Sequence, residues 1–117
     1  MSEQPRLSVE LLADAIAAFD AGNHAWGRYR HFVLGATPAA LAVSTAPLRE
    51  ALSEAAICVP DAQTGDSAAL LAAIRAACDR LDAYRAALPA EVPRTELDAA
   101  AEDFAEAIAL LEGRQPA

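Results

Sequence analysis

Between Ser8 and Leu34 apolar residues recur at spacings of three and four, running through Leu11, Leu12, Ala15, Phe19, Trp26, Tyr29, Phe32 and Val33. That period predicts one amphipathic helix with Ser8 as its cap. Gly22 and Asn23 are poor helix formers in the middle of it, so the segment is expected to be either one bent helix or two helices joined by a tight turn there, the bent helix being favoured. Gly35 supplies a stop, and Thr37-Pro38 has the cap and first-turn chemistry of a new helix. Pro47 lacks an amide N–H and its ring crowds the preceding turn, so this second helix should kink or split there, with Ser44 or Thr45 capping Leu48 to Cys58. The run Val59 to Gly65 reads as a loop and Asp66 or Ser67 as the next cap. A third helix reaches Leu88 with Leu70, Leu71, Ile74, Ala77, Cys78, Leu81 and Tyr84 on its apolar face, and Pro89 and Pro93 mark a connection. Thr95 with Asp98 has capping-box spacing, and the fourth helix carries Leu97, Ala101, Phe104, Ala105, Ile108 and Leu111 towards the core before stopping at Gly113.

Four such segments joined by short connections predict an all-α fold, an antiparallel four-helix bundle in one domain over 1–117, with its core in about 8–112 and flexible ends. Phe19, Leu12, Leu71, Leu81, Phe104 and Ile108 are the expected core. Composition agrees: 55% of the 117 residues are apolar and only 5% aromatic, with Ala dominant and β-branched residues scarce, which favours helix over strand. No 34-residue repeat occurs, though Phe19 to Pro38 is similar to one helical hairpin of the tetratricopeptide type, with Gly22, Ala25, Tyr29 and Pro38 in matching places.

The charge narrows the function classes. Seventeen Asp and Glu oppose nine Arg and no Lys, a net charge of -8. Phosphate backbones and anionic lipid would repel it, so neither nucleic acid nor a membrane surface is an expected partner. No apolar run approaches the ~20 residues of a membrane span, and Met1 to Arg6 does not open like a secretion signal, which together predict a cytoplasmic protein. Abundant Ala and Arg without Lys suggest a GC-rich bacterial coding sequence. The composition leaves homo-oligomers open.

Candidate chemistry is sparse. His24, Trp26, Arg28, Tyr29, Arg30, His31 and Phe32 form the densest cluster, and at 100° per residue Asp20, His24, Gly27, Arg28 and His31 share the polar face. Asp20, His24 and His31 lack the Glu-x-x-His complement of a bundle metal site, and no cofactor fingerprint occurs, so no metal or cofactor is expected. Cys58 at a helix end and Cys78 on an apolar stripe read as structural thiols. On the fourth helix Asp98, Glu102 and Glu106 stand four residues apart as an acidic stripe that could meet a basic partner, the Arg28 and Arg30 end of the first helix, or water.

The segment His31-Phe32-Val33-Leu34-Gly35 places an exposed helical histidine four residues before a glycine, and in an acidic helical chain this resembles the histidine phosphotransfer domains over about Ala13 to Leu88. The turns at Gly22-Asn23 and Gly65-Asp66 fit that layout. The resemblance implies a phosphoacceptor role for His31. That family has a Lys three residues after the histidine, where this chain has Leu34. The sequence therefore favours a non-enzymatic interaction module, an accessory subunit, adaptor or chaperone-like companion of a larger protein. Its expected partner surface is Asp98, Glu102 and Glu106 with His24, Arg28 and His31. Phosphotransfer through His31 is the first alternative, and a small-ligand or catalytic bundle the second.

Overall fold

The computed structural model describes residues 8–113; the ends expected to be flexible lie outside them. The element order is α1 (Val9–Arg28), a π-helical turn (Tyr29–Leu34), a 3-10 turn (Pro38–Ala42), α2 (Ala46–Gln63), α3 (Ser67–Ala87) and α4 (Thr95–Leu111). No strand occurs among the described residues. Helices α1 and α4 run antiparallel, with Phe19 against Phe104 at 5.8 Å between ring centroids and Arg28 beside Glu96 further along. Helix α3 is antiparallel to α4 through Arg85 to Asp98 and Arg75 to Glu112. Helix α2 returns along α3, and α1 touches α2 only sparsely. The bundle is therefore antiparallel, as expected, but closed on three seams and splayed on the fourth.

Ser8 Oγ accepts from the Leu11 amide at 3.0 Å, and burial of Ala15, Phe19, Gly22, Trp26 and Tyr29 follows the helical period. The weak point expected at Gly22-Asn23 is not a break: α1 continues through both residues. Gly22 serves close approach instead, since a Cβ there would overlap the Phe104 ring. The irregularity lies later, where Gly35 N donates to Arg30 O across five residues at 3.2 Å. The wider turn shifts the helical register, so Val33 and Leu34 pack partly inward. Phe32, expected in the core, is 67% exposed. Phe19 to Leu34 is thus one helical rod with a π-helical end, without the hairpin of a tetratricopeptide repeat.

The split expected at Pro47 is present, and Pro47 sits in the first turn of α2, where its missing N–H costs nothing. Ser44 Oγ accepts from the Ala46 amide at 3.2 Å. The loop expected from Val59 is shorter, because α2 continues through Pro60 to Gln63. Pro60 lies in the last turns and is exposed, as is Ala56, whose carbonyl would otherwise have paired with the missing N–H and can turn to water. Gly65, at φ 125°, makes the turn, and Asp66 caps α3.

Thr95 and Asp98 do not form a capping box; Thr95 is the first residue of α4, and Asp98 reaches Arg85 at 2.9 Å. Arg94 closes this connection instead. Its guanidinium donates to the carbonyls of Leu88 at 2.7 Å, Val92 at 3.0 Å, Arg85 at 3.2 Å and Pro89 at 3.3 Å, satisfying groups left over where α3 ends. The buried face of α4 is Leu97, Ala100, Phe104, Ala107, Leu110 and Leu111. It is rotated from the expected one, leaving Ala105 exposed and Ile108 half-buried, because α4 must serve both α1 and α3. Leu12 and Leu71 are likewise only half-buried.

Candidate functional site

The residues singled out from the sequence are distributed over two sides of the bundle. His24, Arg28 and His31 are all exposed, as the polar face of α1 requires. Arg28 Nε binds Glu96 Oε1 at 2.9 Å, so this arginine is engaged within the molecule. Asp98 is likewise engaged by Arg85, which also meets Asp82 at 3.2 Å. Glu102 and Glu106 are exposed and make no ion pair among the described residues. The acidic stripe is thus cut at its Asp98 end, and Arg28 joins it to the polar face of α1 only through Glu96. No group of three or more metal-ligating side chains occurs among the described residues.

What the structure does bring together is the seam between α1 and α2. An open groove of about 420 Å³ runs there, walled by Asn23, Gly27 and Arg30 on one side and Arg49, Ser53 and Ala56 on the other. Trp26 and Leu52, both largely buried, form its floor. A second hollow of about 430 Å³ shares Gly27 and Arg30 and continues past His31 and Leu34 to Leu41. Neither Asp nor Glu lines either one, in a chain with seventeen of them. Arg30 and Arg49 make no ion pair among the described residues, as is also true of Arg80 and of the carbonyl-bound Arg94, whereas Arg28, Arg75 and Arg85 are paired.

The reason lies in local geometry. Arg30 follows Asn23 by seven residues and Gly27 by three, so the ordinary helical period brings it to the α2 side with them, roughly opposite Arg28. On α2, Arg49 and Ser53 face α1; Glu50 and Glu54 share an outer hollow of α2 with them and also line the α2–α3 side with Ala51 and Arg80. Sequence reasoning placed Gly27 and His31 on a polar face and set Arg30 with Arg28 as a counterpart of the α4 acidic stripe; the structure turns Arg30 to α2 instead, and Arg49 and Ser53 were missed. The signal available was Arg49 four residues before Ser53 on one helical stripe, with Glu50 and Glu54 on the stripe beside it.

Beneath the groove Trp26, Tyr29 and Tyr84 form a packed aromatic cluster. Trp26 stacks on Tyr29 at 5.5 Å and meets Tyr84 edge-on at 5.7 Å. The two tyrosine hydroxyls share a buried hydrogen bond of 2.7 Å. Burial, and then the bond to Tyr29, push the Tyr84 hydroxyl above its ordinary pKa. This region is filled rather than hollow, and His24 lies outside it. Burial, then the carboxylates of Asp82 and Asp79, push the Cys78 thiol up to about 11. Cys58 is raised by burial and by Glu54, Asp61 and Asp66. Both thiols are held protonated, the opposite of an activated nucleophile.

His31 packs edge-on against Phe32 at 4.6 Å, within the π turn at the end of the rod. The turn before the histidine helix that contributes to the phosphotransfer resemblance is absent, because α1 is continuous there. Among the described residues no helix is long and apolar enough to cross a membrane. No protein-family model, no curated protein and no solved structure gives a match to this chain.

Proposed function

We propose that the chain is a non-enzymatic helical interaction module, an adaptor or accessory subunit that docks a larger protein on the face where α1 and α2 meet. The supporting observation is where its large apolar side chains are left in water. Leu41, 66% exposed, lines the hollow at one end of the seam, and Phe32, 67% exposed, packs on His31 beside it. Ile57, 68% exposed, shares the outer surface of α2 with Arg49, Glu50, Ser53 and Glu54. Exposed apolar groups gathered around a polar-rimmed groove are what a protein interface requires. Open grooves and protonated thiols give little support to a catalytic pocket.

Phosphoacceptance by His31 is the second reading, favoured by its exposure and by Arg30 on the same hollow. Leu34 supplies no charge for a phosphoryl group, which ranks this reading lower.

Affinity capture from cells expressing the chain tests the first reading. One co-purifying protein should be recovered with wild type and with Val9→Ser, whose site is exposed but remote from the seam, and lost with Phe32→Ser plus Leu41→Ser. Equal recovery on all three would reject the α1–α2 face as the docking surface. Acid-labile label from a small phosphodonor, lost in His31→Ala, would install the second reading instead.

A further inference from the structure

Gly27 is the unexplained residue of the seam. It lies inside α1, where glycine is unfavourable, yet its backbone is ordinary helix and a Cβ there would meet nothing within 4 Å. Gly22 on the same helix is required by Phe104; nothing in the described residues requires Gly27. The space above it is the groove, and the groove is where Arg30 and Arg49 stand without carboxylates.

We infer that the α1–α2 groove receives an amphipathic helix of a partner protein, its apolar stripe laid over Gly27 and Trp26 and its flanking Asp or Glu residues paired with Arg30 and Arg49. The inference rests on the interaction-module reading and adds the chemistry of the partner. From Asn23 to Gly35 the lining spans roughly 18 Å, enough for three to four turns of a docked helix. Charge decides the sign of the occupant. The chain as a whole is acidic, and Glu50 and Glu54 flank Arg49 on the outer face of α2, but exposed charges are screened beyond ~8 Å at physiological salt and the groove's own lining carries only the two arginines. The surface best suited to a basic segment is α4, around Glu102 and Glu106, away from this seam. Glycine at the contact lets the partner's backbone approach closely, a contact any larger side chain would prevent.

The test uses the full chain and two synthetic helical peptides of about 14 residues. One carries Leu along a single stripe flanked by Glu; the other replaces each Glu by Lys. Trp26, the chain's single tryptophan, and the backbone amides of Gly27, Arg30 and Ser53 report occupancy by fluorescence and nuclear magnetic resonance. The Glu peptide should perturb these groups saturably, and Arg30→Glu with Arg49→Glu should weaken it about tenfold or more. Gly27→Leu should block it while the circular dichroism stays helical. The Lys peptide should leave the groove signals unmoved, even where it touches α4. Four results would overturn the inference: groove occupancy by the Lys peptide alone, Glu-peptide binding indifferent to the arginines, saturation of the same amides by inorganic phosphate, or concentration-dependent self-association lost in the arginine variants. Groove occupancy by the Lys peptide would overturn the acidic partner while sparing the docking face. Capture indifferent to Phe32 and Leu41 would reject the face itself.

Discussion

Tyr29 and Tyr84 show how one buried polar contact can be required in the fold yet contribute little to its net stability. Their hydroxyls satisfy each other at 2.7 Å inside an aromatic cluster, so deleting one strands the other away from water. Tyr84→Phe should cost about 1 to 3 kcal/mol, as should Tyr29→Phe, whereas the double Phe variant should lie close to wild type. Additive losses in urea unfolding would mean that the pair is not mutually dependent. The same burial makes the domain sensitive to base. Tyr84, and Cys78 at about 11, hold their protons more tightly in the folded chain than at their ordinary values of 10.0 and 9.0. Below pH 9.0 both states keep these protons and nothing is lost. Above it the unfolded chain releases them first, so stability falls with rising pH, through Cys78 between about 9 and 11 and through Tyr84 from about 10 upward. The chain has no Lys to obscure this window. Cys78→Ala combined with the double Phe variant should flatten the decline in the unfolding midpoint. An undiminished decline would place its cause elsewhere.

At the level of the element, two glycines five residues apart on α1 predict opposite outcomes. Gly22→Ala gains helix propensity but drives a methyl group into the Phe104 ring, and overpacking of this kind should cost about 1 to 3 kcal/mol net. Gly27→Ala meets open space and should stabilise by about 0.5 to 1 kcal/mol. Thermal midpoints moving in the same direction would contradict the assignment of the two faces. The sequence marks both glycines as weak helix formers and cannot tell them apart, because the distinction depends on which helix lies across each. Helix existence, the Ser8 and Asp66 caps and the Gly113 stop were legible, since each depends on neighbours in sequence. The π turn that exposes Phe32, the persistence of α2 through Pro60 and the four-carbonyl hold of Arg94 were not. Each is decided by tertiary context that overrides local preference. The site was half legible for the same reason: His31 and Gly27 could be placed on an exposed face, but Arg30 and Arg49 come together only once α2 is laid antiparallel to α1.

For the molecule as a whole, the splayed seam distributes stability unevenly. The chain extends 58 × 29 × 19 Å with a radius of gyration of 15.3 Å, longer than the ~13 Å of a compact domain near this size. Helix α4 is held between α1 and α3 and buries Leu97, Phe104, Leu110 and Leu111. Helix α2 leans almost wholly on α3 and buries just two large side chains, Leu48 and Leu52, with Ala55 and Ala62. Apolar burial scales with area, so α2 has the least holding it in place. Its amides should exchange with solvent through partial openings that leave α3 and α4 protected, at a free energy below that of global unfolding. Native-state hydrogen exchange across low urea concentrations resolves this. The α2 amides should form a separate, less stable group, with those around Phe104 exchanging only by global unfolding. A single isotherm for all four helices would show that α1 and α2 are bound more tightly than their sparse contact implies. An occupant of the seam would touch α1 and α2 together and replace the missing fourth side of the bundle. Binding should therefore slow exchange in α2 more than anywhere else, including helices that contribute nothing to the groove. Protection confined to α1, or spread evenly over the chain, would place the occupant on another face.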